Sequence, residues 1–264
     1  MTTMESGAVP ARRSALVTGS TGGIGLAVAE RLARAGCAVL LHGLASEPEG
    51  RGLAQDLSHR HGVAAHYLRA DLADPAAAAQ LLERAGAVDI LVNNAVTRHF
   101  APIEAMAPGD WDADIAVNLS AAFHLIRLAL PGMRARGWGR IVNMSSIYGL
   151  IGATGRVGYV VSKTALIGLT RAVALETAGT RITCNAVCPG STLTPAIAER
   201  LHAMMAREGL DAEAATRRYL AHKQPSGRFV EPDAVAALVA FLCGAEAEHI
   251  TGAALPVDGG WSAA

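Results

Sequence analysis

Along this chain, short uninterrupted apolar runs alternate with longer stretches in which apolar positions recur at the helical period. Runs of strand length occupy 15–17, 38–41, 64–68, 90–92, 141–144 and 182–187, and helical spacing occupies 25–35, 76–84 and 112–136 between them. A strand that is apolar at every position, rather than at every second one, is covered on both faces. The alternation therefore predicts an α/β fold: a single Rossmann-type, doubly wound parallel sheet with helices on both faces. Past Pro189 the rhythm loosens into two helical stretches, 195–208 and 211–222, before a helix at 231–242 and a last strand at 254–257. The loosened region, about 191–226, is expected to form a helical substrate lid. No repeat, low-complexity tract or linker divides the chain, so 1–264 reads as one domain.

In such a sheet, ligands collect at the carboxyl ends of the strands. The first strand runs straight into Thr18-Gly19-Ser20-Thr21-Gly22-Gly23-Ile24-Gly25 and then into an alanine-rich helix. Gly19 allows a tight turn, Gly23 lets backbone approach a pyrophosphate, and Gly25 permits close helix packing, with phosphates at the positive helix end. Glycines also mark ordinary turns, but this placement between strand and helix favours the nucleotide reading. Ala70-Asp71-Leu72 and Asn93-Asn94-Ala95 put small or polar residues at the same sheet edge. Asp71 is either an acceptor for an adenine amino group or a turn cap. An acidic residue closing the second strand would bind the ribose 2′-hydroxyl of NAD, and a basic one would pair the 2′-phosphate of NADP. Here that strand ends His42-Gly43-Leu44, and neither Ser20 nor Thr21 is basic. Burying a 2′-phosphate without a counter-charge is costly, so NAD is expected by elimination. Arg69 is the basic residue outside the Leu44 turn that would reopen the question; otherwise it reads as a strand-end surface charge.

After the fifth strand comes Asn143-Met144-Ser145-Ser146, and thirteen positions beyond Ser146 stands Tyr159-Val160-Val161-Ser162-Lys163. On a helix, Tyr159 and Lys163 are four residues apart and share a face. A lysine ammonium beside a phenol favours the phenolate, which can exchange a proton with an alcohol or ketone oxygen. Ser146 would hydrogen-bond that oxygen, and Asn118 could hold a water connecting Lys163 to solvent. Taken singly, each residue has a plain structural reading: a helix aromatic, a surface charge, a loop cap, a mid-helix hydrogen-bonder. Their joint spacing is what points to chemistry.

Together these segments resemble the short-chain dehydrogenase/reductase family from Ala15 to the C-terminus. The matching pieces are Thr18–Gly25, Asn93–Ala95, Asn118, Ser146, Tyr159–Lys163, Pro189-Gly190 with Thr194-Pro195, and Val257-Asp258-Gly259-Gly260. The resemblance implies Tyr159 as acid/base, Lys163 on the nicotinamide ribose, Ser146 orienting substrate, Asn118 in a proton relay, and a homotetramer. It also implies cofactor contacts at Gly19, Thr21, Gly23, Ile24, Gly25, Leu44, Asp71, Leu72, Asn93, Ala95, Pro189, Gly190, Thr192 and Thr194. One departure is Val96, where the family has glycine; the added side chain is a candidate to crowd the cofactor loop. The likeness runs furthest toward family members acting on short 3-hydroxy acids. Relative to that branch, Arg98 and Arg200 replace glutamines, Tyr148 a histidine, Arg156 a carboxylate-binding lysine and Ser191 a tryptophan. Only His99 and Trp261 keep their type among these substrate-binding positions.

The expected substrate is thus a short anionic hydroxy or oxo acid: a 3-hydroxybutyrate-like carboxylate, or a sulfonate, phosphonate or dicarboxylate analogue. An NADPH-dependent 3-oxoacyl reductase and a non-catalytic nucleotide-binding regulator are the competing readings. Formal net charge is zero with scattered basic residues, which argues against nucleic acid or an anionic membrane surface as partner. Cys37, Cys184, Cys188 and Cys243 show no metal or disulfide spacing and read as small buried residues. With no apolar run in Met1 to Arg12, the expected location is the cytoplasm.

Overall fold

The computed structural model describes residues 13–264, apart from the side chains at 195 and 196. The reading of Met1 to Arg12 lies outside the described residues. Seven strands, β1 (Ser14–Val17), β2 (Ala38–Gly43), β3 (Ala65–Arg69), β4 (Ile90–Asn93), β5 (Gly139–Met144), β6 (Ile182–Pro189) and β7 (Ala254–Val257), form a sheet in the order β3-β2-β1-β4-β5-β6-β7. Every pairing is parallel. The order reverses between β1 and β4, which opens a crevice at their carboxyl ends.

Successive side chains on a strand point to opposite faces, and both faces are buried here. Val17, Leu41 and Val92 join one core with Val28 and Leu32 of α1 (Gly23–Arg34) and Val239 and Leu242 of α9 (Pro232–Cys243). Their neighbours Leu16, Leu40 and Leu91 join a second core with Leu81 of α3 (Pro75–Ala85) and Leu125 and Met133 of α5 (Ala121–Arg136). This two-sided burial is why the strands read as continuous apolar runs. The four cysteines are free and buried, and burial pushes the thiols of Cys37, Cys184 and Cys243 up to about 12.

Two features differ from the pattern-based expectation. Helix α2 (Glu47–His61) was not marked by periodicity, because only Gly50, Ala54 and Leu57 are buried. Polar signals define it instead: a capping box between Ser46 and Glu49, and left-handed Gly62 at its end. The helix expected over 112–136 begins earlier, as α4 (Pro108–Ile115), and joins α5 through a π-helical segment, Ala116–Ser120. The segment expected as a lid holds the two helices expected of it and is bounded by a parallel bridge between Thr192 and Val230, so chain leaves and re-enters the core at one place. It carries α7 (Pro195–Glu208) and α8 (Ala212–Leu220), anchored by buried Leu201, Ala215 and Leu220.

The rod Pro108–Arg136 and the helix α6 (Val157–Glu176) are long and apolar enough to cross a bilayer by composition alone. Both lie against the sheet, where α5 meets β5 and α6 meets β6.

Helix α2 reaches β3 through Gly50, where an added Cβ would stand 2.1 Å from the Tyr67 ring. Alanine in a helix interior gains about 1 kcal/mol over glycine, but overlap with a buried ring costs about 1–3 kcal/mol. Gly50→Val, which adds bulk and no comparable helix preference, should therefore lower Tm, and a second change, Tyr67→Leu, should restore part of the loss. An unchanged Tm in Gly50→Val would show that α2 is not seated on that ring.

Candidate active site

The turn after β1 is built together with the turn after β4. Thr18 Oγ1 is buried and accepts the backbone N–H groups of Asn94 (2.9 Å) and Ala95 (3.0 Å). Asn94 Nδ2 donates back to the carbonyls of Thr18 (3.0 Å) and Gly19 (2.9 Å). Gly19 has φ +61°, and a Cβ there would sit 2.9 Å from Ala95 Cα; at Gly25 it would meet the Gly19 carbonyl at 2.2 Å. No other residue type fits either position. Val96 does not disturb this arrangement, because its backbone avoids positive φ and its side chain is exposed at the cavity rim.

A histidine that the motif reading passed over braces the same turn. His42, at the end of β2, accepts the Gly19 N–H at Nδ1 (3.2 Å), which requires that nitrogen to be unprotonated. Nε2 must then carry the proton and donate to the Ala70 carbonyl (3.1 Å). Burial, the main cause, pushes His42 down to about 4, so the ring is neutral near pH 7.

The remaining nucleotide-binding expectations divide. Ile24, Pro189, Gly190, Thr192 and Thr194 line the main cavity, and Asn94 joins them in place of Asn93. Asn93 turns into the sheet and donates to Asn143 Oδ1 (2.8 Å), which removes its side chain from the crevice. Leu72 is buried in the core on the α3 side. Asp71 accepts the Ala73 N–H (3.0 Å), the turn-cap reading, and stays exposed. Thr21 packs on Gly43, and Leu44 is exposed beside it. Arg69, set aside as a surface charge, reaches this turn: its Nε donates to the Leu44 carbonyl (3.3 Å).

The crevice fits a nicotinamide dinucleotide on its own terms. Gly22 at the start of α1 provides no side-chain cap and the first turn holds no acid, so its amides remain open to a phosphate. At the other end, Thr192 Oγ1 is buried without a hydrogen-bond partner and faces the cavity. Such an orphaned hydroxyl suits a polar amide.

At the end of β5, Ser145 Oγ donates to the Lys163 carbonyl (2.8 Å) and Lys163 Nζ donates to the Met144 carbonyl (2.7 Å). Lys163 is 2% exposed, and burial, helped by the charge of Arg98, pulls it down to about 7. Its Nζ stands 5.7 Å from the centre of the Tyr159 ring, four residues back on α6. Ser146 Oγ accepts the Tyr148 N–H (3.2 Å), leaving its proton free to donate into the cavity. Ser146, Tyr159 and Lys163 therefore share one cavity of about 290 Å³. Asn118 makes the hydrogen bonds of its structural reading. Its Oδ1 accepts from Thr97 N–H (2.9 Å) and its Nδ2 donates to the Thr97 carbonyl (3.0 Å) and Ser162 Oγ (3.2 Å). The side chain thus ties the loop after β4 to α6.

Arg98, Tyr148, Arg156, Ser191, Arg200 and Trp261 all line the cavity. His99 does not; its ring is drawn to Asp114 (3.0 Å) and Asp110 (3.6 Å) on α4. Phe100, Tyr219 and Lys223 line the cavity unforeseen, since nothing local in the sequence marks these positions, after β4 and late in the 191–226 segment, as reaching the site. Among the described residues no aspartate or glutamate lines it, although four cations besides Lys163 do.

Set beside known proteins, residues 13–204 match the family model described as short chain dehydrogenase. The chain is 42% identical to a D-beta-hydroxybutyrate dehydrogenase of Cupriavidus necator, over 95% of this chain and 98% of that one. A D-beta-hydroxybutyrate dehydrogenase of Rhizobium meliloti is 38% identical, over 95% and 99%. The L-sorbose reductase of Gluconobacter frateurii, solved with NADPH and L-sorbose, superposes with a TM-score of 0.91 at 31% identity, over 96% and 97%. Sheet order, paired turns and the Tyr159–Lys163 helix define a nicotinamide-dependent oxidoreductase. The chain belongs to the short-chain dehydrogenase/reductase family.

The state of His42 ties stability to pH. Between its ordinary value of 6.5 and about 4, the unfolded chain binds a proton that the folded protein refuses, so folding weakens as pH falls through that window. The advantage of the wild type over His42→Leu should be complete above pH 6.5 and shrink by on the order of 2–3 kcal/mol by pH 4. Denaturant titrations of both proteins across that range provide the check; a pH-independent difference would mean the imidazole does not hold the Gly19 turn in its neutral form.

Proposed function

We propose that this protein is an NAD(H)-dependent oxidoreductase that interconverts the secondary alcohol and the ketone of a short anionic hydroxy acid. The observation that carries this reading is the cavity itself: Ser146, Tyr159 and Lys163 open onto the same space as Arg98, Arg156, Arg200 and Lys223, with no carboxylate on its walls among the described residues. Cations gathered without counter-charge in a partly closed site favour an anionic ligand. The D-beta-hydroxybutyrate dehydrogenases that the chain is similar to support a hydroxy acid.

The chemistry then follows from the residues. Tyr159 exchanges a proton with the substrate oxygen at its hydroxyl, Ser146 donates a hydrogen bond to that oxygen, and the Lys163 ammonium favours the phenolate electrostatically. The α1 N-terminus, Asn94 and Thr192 are the groups positioned to hold the dinucleotide. When bound, its nicotinamide ring accepts or supplies the hydride. An anion entering the cavity also favours the charged form of Lys163, which burial otherwise disfavours.

Preference for NAD is supported by the uncharged Leu44 turn and by Ser20 and Thr21. The opposing observation is Arg69, which lies at that turn and gives a specific basis for NADPH as the second reading. A homotetrameric, cytoplasmic enzyme is the assembly and location in keeping with this proposal, with exposed Phe123 on α5 and Val161 and Leu175 on α6 as apolar surface for subunit contact.

Tyr159→Phe removes the proton-transfer group and keeps the ring, so turnover should fall at least about 100-fold while Tm and cofactor affinity hold. Activity within tenfold of wild type would overturn the assignment. For the cofactor, kcat/KM should favour NAD over NADP by at least about tenfold, a difference of roughly 1.4 kcal/mol. If the two are equal and Arg69→Ala selectively lowers kcat/KM for NADP, the NADPH reading replaces the NAD one.

A further inference from the structure

Resting on the hydroxy-acid reading above, we propose that the substrate's anionic end is a tetrahedral group with three terminal oxygens, of sulfonate or phosphonate type, held jointly by Arg156, Arg200 and Lys223. The three cations come from three different pieces of chain. Arg156 is the residue immediately before α6, Arg200 stands on the lid helix α7, and Lys223 follows α8. Arg156 and Arg200 border one ring, with their guanidinium carbons 5.0 Å and 5.7 Å from the centre of Phe100. Lys223 Nζ lies 3.9 Å from the Tyr219 ring, and its pKa is lowered by burial first and then by the charges of Arg156 and Arg200. The three groups are therefore close enough to repel one another.

Nothing among the described residues compensates them. None of the three forms an ion pair among the described residues, and Arg156 Nε is buried without a hydrogen-bond partner. The nearby buried acid, Asp114, lies behind Gly158, with its Oδ1 engaged by His99. Arg98 is a separate case: its guanidinium carbon is 5.1 Å from the Tyr159 ring, at the reacting end.

Acceptor geometry then selects the anion. A carboxylate offers two oxygens in one plane, which a single guanidinium can grip through two parallel hydrogen bonds. With Arg156 so engaged, Arg200 and Lys223 would be left without an anion oxygen of their own, and unpaired cationic donors in a partly desolvated site are expensive. A tetrahedral anion directs three oxygens outward along different axes, so α6, the lid and the segment after it can each supply a donor. Ser191, a small residue on the same wall, leaves the volume such a group needs.

The test is a matched series at saturating cofactor, with NAD and NADP run in parallel: 3-hydroxybutyrate, the sulfonate and phosphonate that replace its carboxylate, malate as a dicarboxylate, and neutral 2-butanol. The sulfonate, the phosphonate or both should exceed 3-hydroxybutyrate in kcat/KM by at least about tenfold, and Arg200→Gln and Lys223→Gln should each erode that preference chiefly through KM. Without cofactor, propanesulfonate and propylphosphonate, which lack the hydroxyl, supply a second readout. At least one should raise the wild-type Tm, with a smaller rise in Lys223→Gln. If 3-hydroxybutyrate or malate is the best substrate, this inference falls while the anionic hydroxy-acid reading stands. If 2-butanol is best, both fall.

Discussion

The site hangs on one buried charge. Lys163 gives up nearly all of its hydration, a change that costs several kcal/mol for an isolated ammonium and that drives its pKa downward. The fold offsets this with the Met144 carbonyl at 2.7 Å and the face of the Tyr159 ring. That acceptor stays in place only if β5 cannot slide against α6. Ser145 therefore bonds the Lys163 carbonyl, Asn143 bonds Thr170 about two turns farther along α6, and Asn93 bonds Asn143 across the β4–β5 pair. Side chains that look like ordinary buried polar residues form a continuous brace behind the catalytic helix, and each bond in it is worth more for being out of water.

This brace explains which parts of the fold and site were readable in the chain and which were not. Periodicity located the sheet because burial on both faces acts on every strand residue. Spacing located Ser146, Tyr159 and Lys163 because strand and helix geometry fixes where such residues fall. Asn93 carries the same motif as Asn94, yet one faces the sheet and the other the crevice; only the strand's exit angle decides between them. The bracing roles of His42 and of the Asn118 side chain were not legible for a related reason. Each contributes through a partner more than twenty positions away in sequence, Gly19 for one and Thr97 and Ser162 for the other. Helix α2 escaped because it is held by polar caps and a glycine contact rather than by an apolar stripe.

The two ends of the crevice solve opposite electrostatic problems. At the nucleotide end, charge is kept low: a neutral histidine, hydroxyls and amides form the walls, with Arg69 at the outer edge. A polar, uncharged turn holds its shape whether or not a phosphate is present, so the cofactor loop needs no ligand to assemble. At the substrate end, the walls are cationic and aromatic residues alternate with them. Without some internal support, like charges around a 290 Å³ space would drive the arginines outward to solvent and leave the site collapsed or disordered.

The rings supply that support. Arg98 lies over Tyr159, Arg156 between Phe100 and Tyr148, Arg200 over Phe100 and Lys223 over Tyr219, and Tyr148 is in turn braced edge-on by Trp261 at 5.3 Å. Trp261 is itself positioned by Asp258, which accepts the Gly260 and Ser262 N–H groups. A cation over a ring gains about 0.5–2 kcal/mol, enough to hold a long side chain in one orientation but less than an ion pair with a fully charged ligand. The stacking therefore orients the cations without neutralising them. Each cation already lines the cavity, so an entering anion would replace repulsion with attraction at little further cost in side-chain entropy. Stacked cations, with no acid lining the cavity among the described residues, are what separates this site from a structural salt-bridge network, in which each charge would already have its partner.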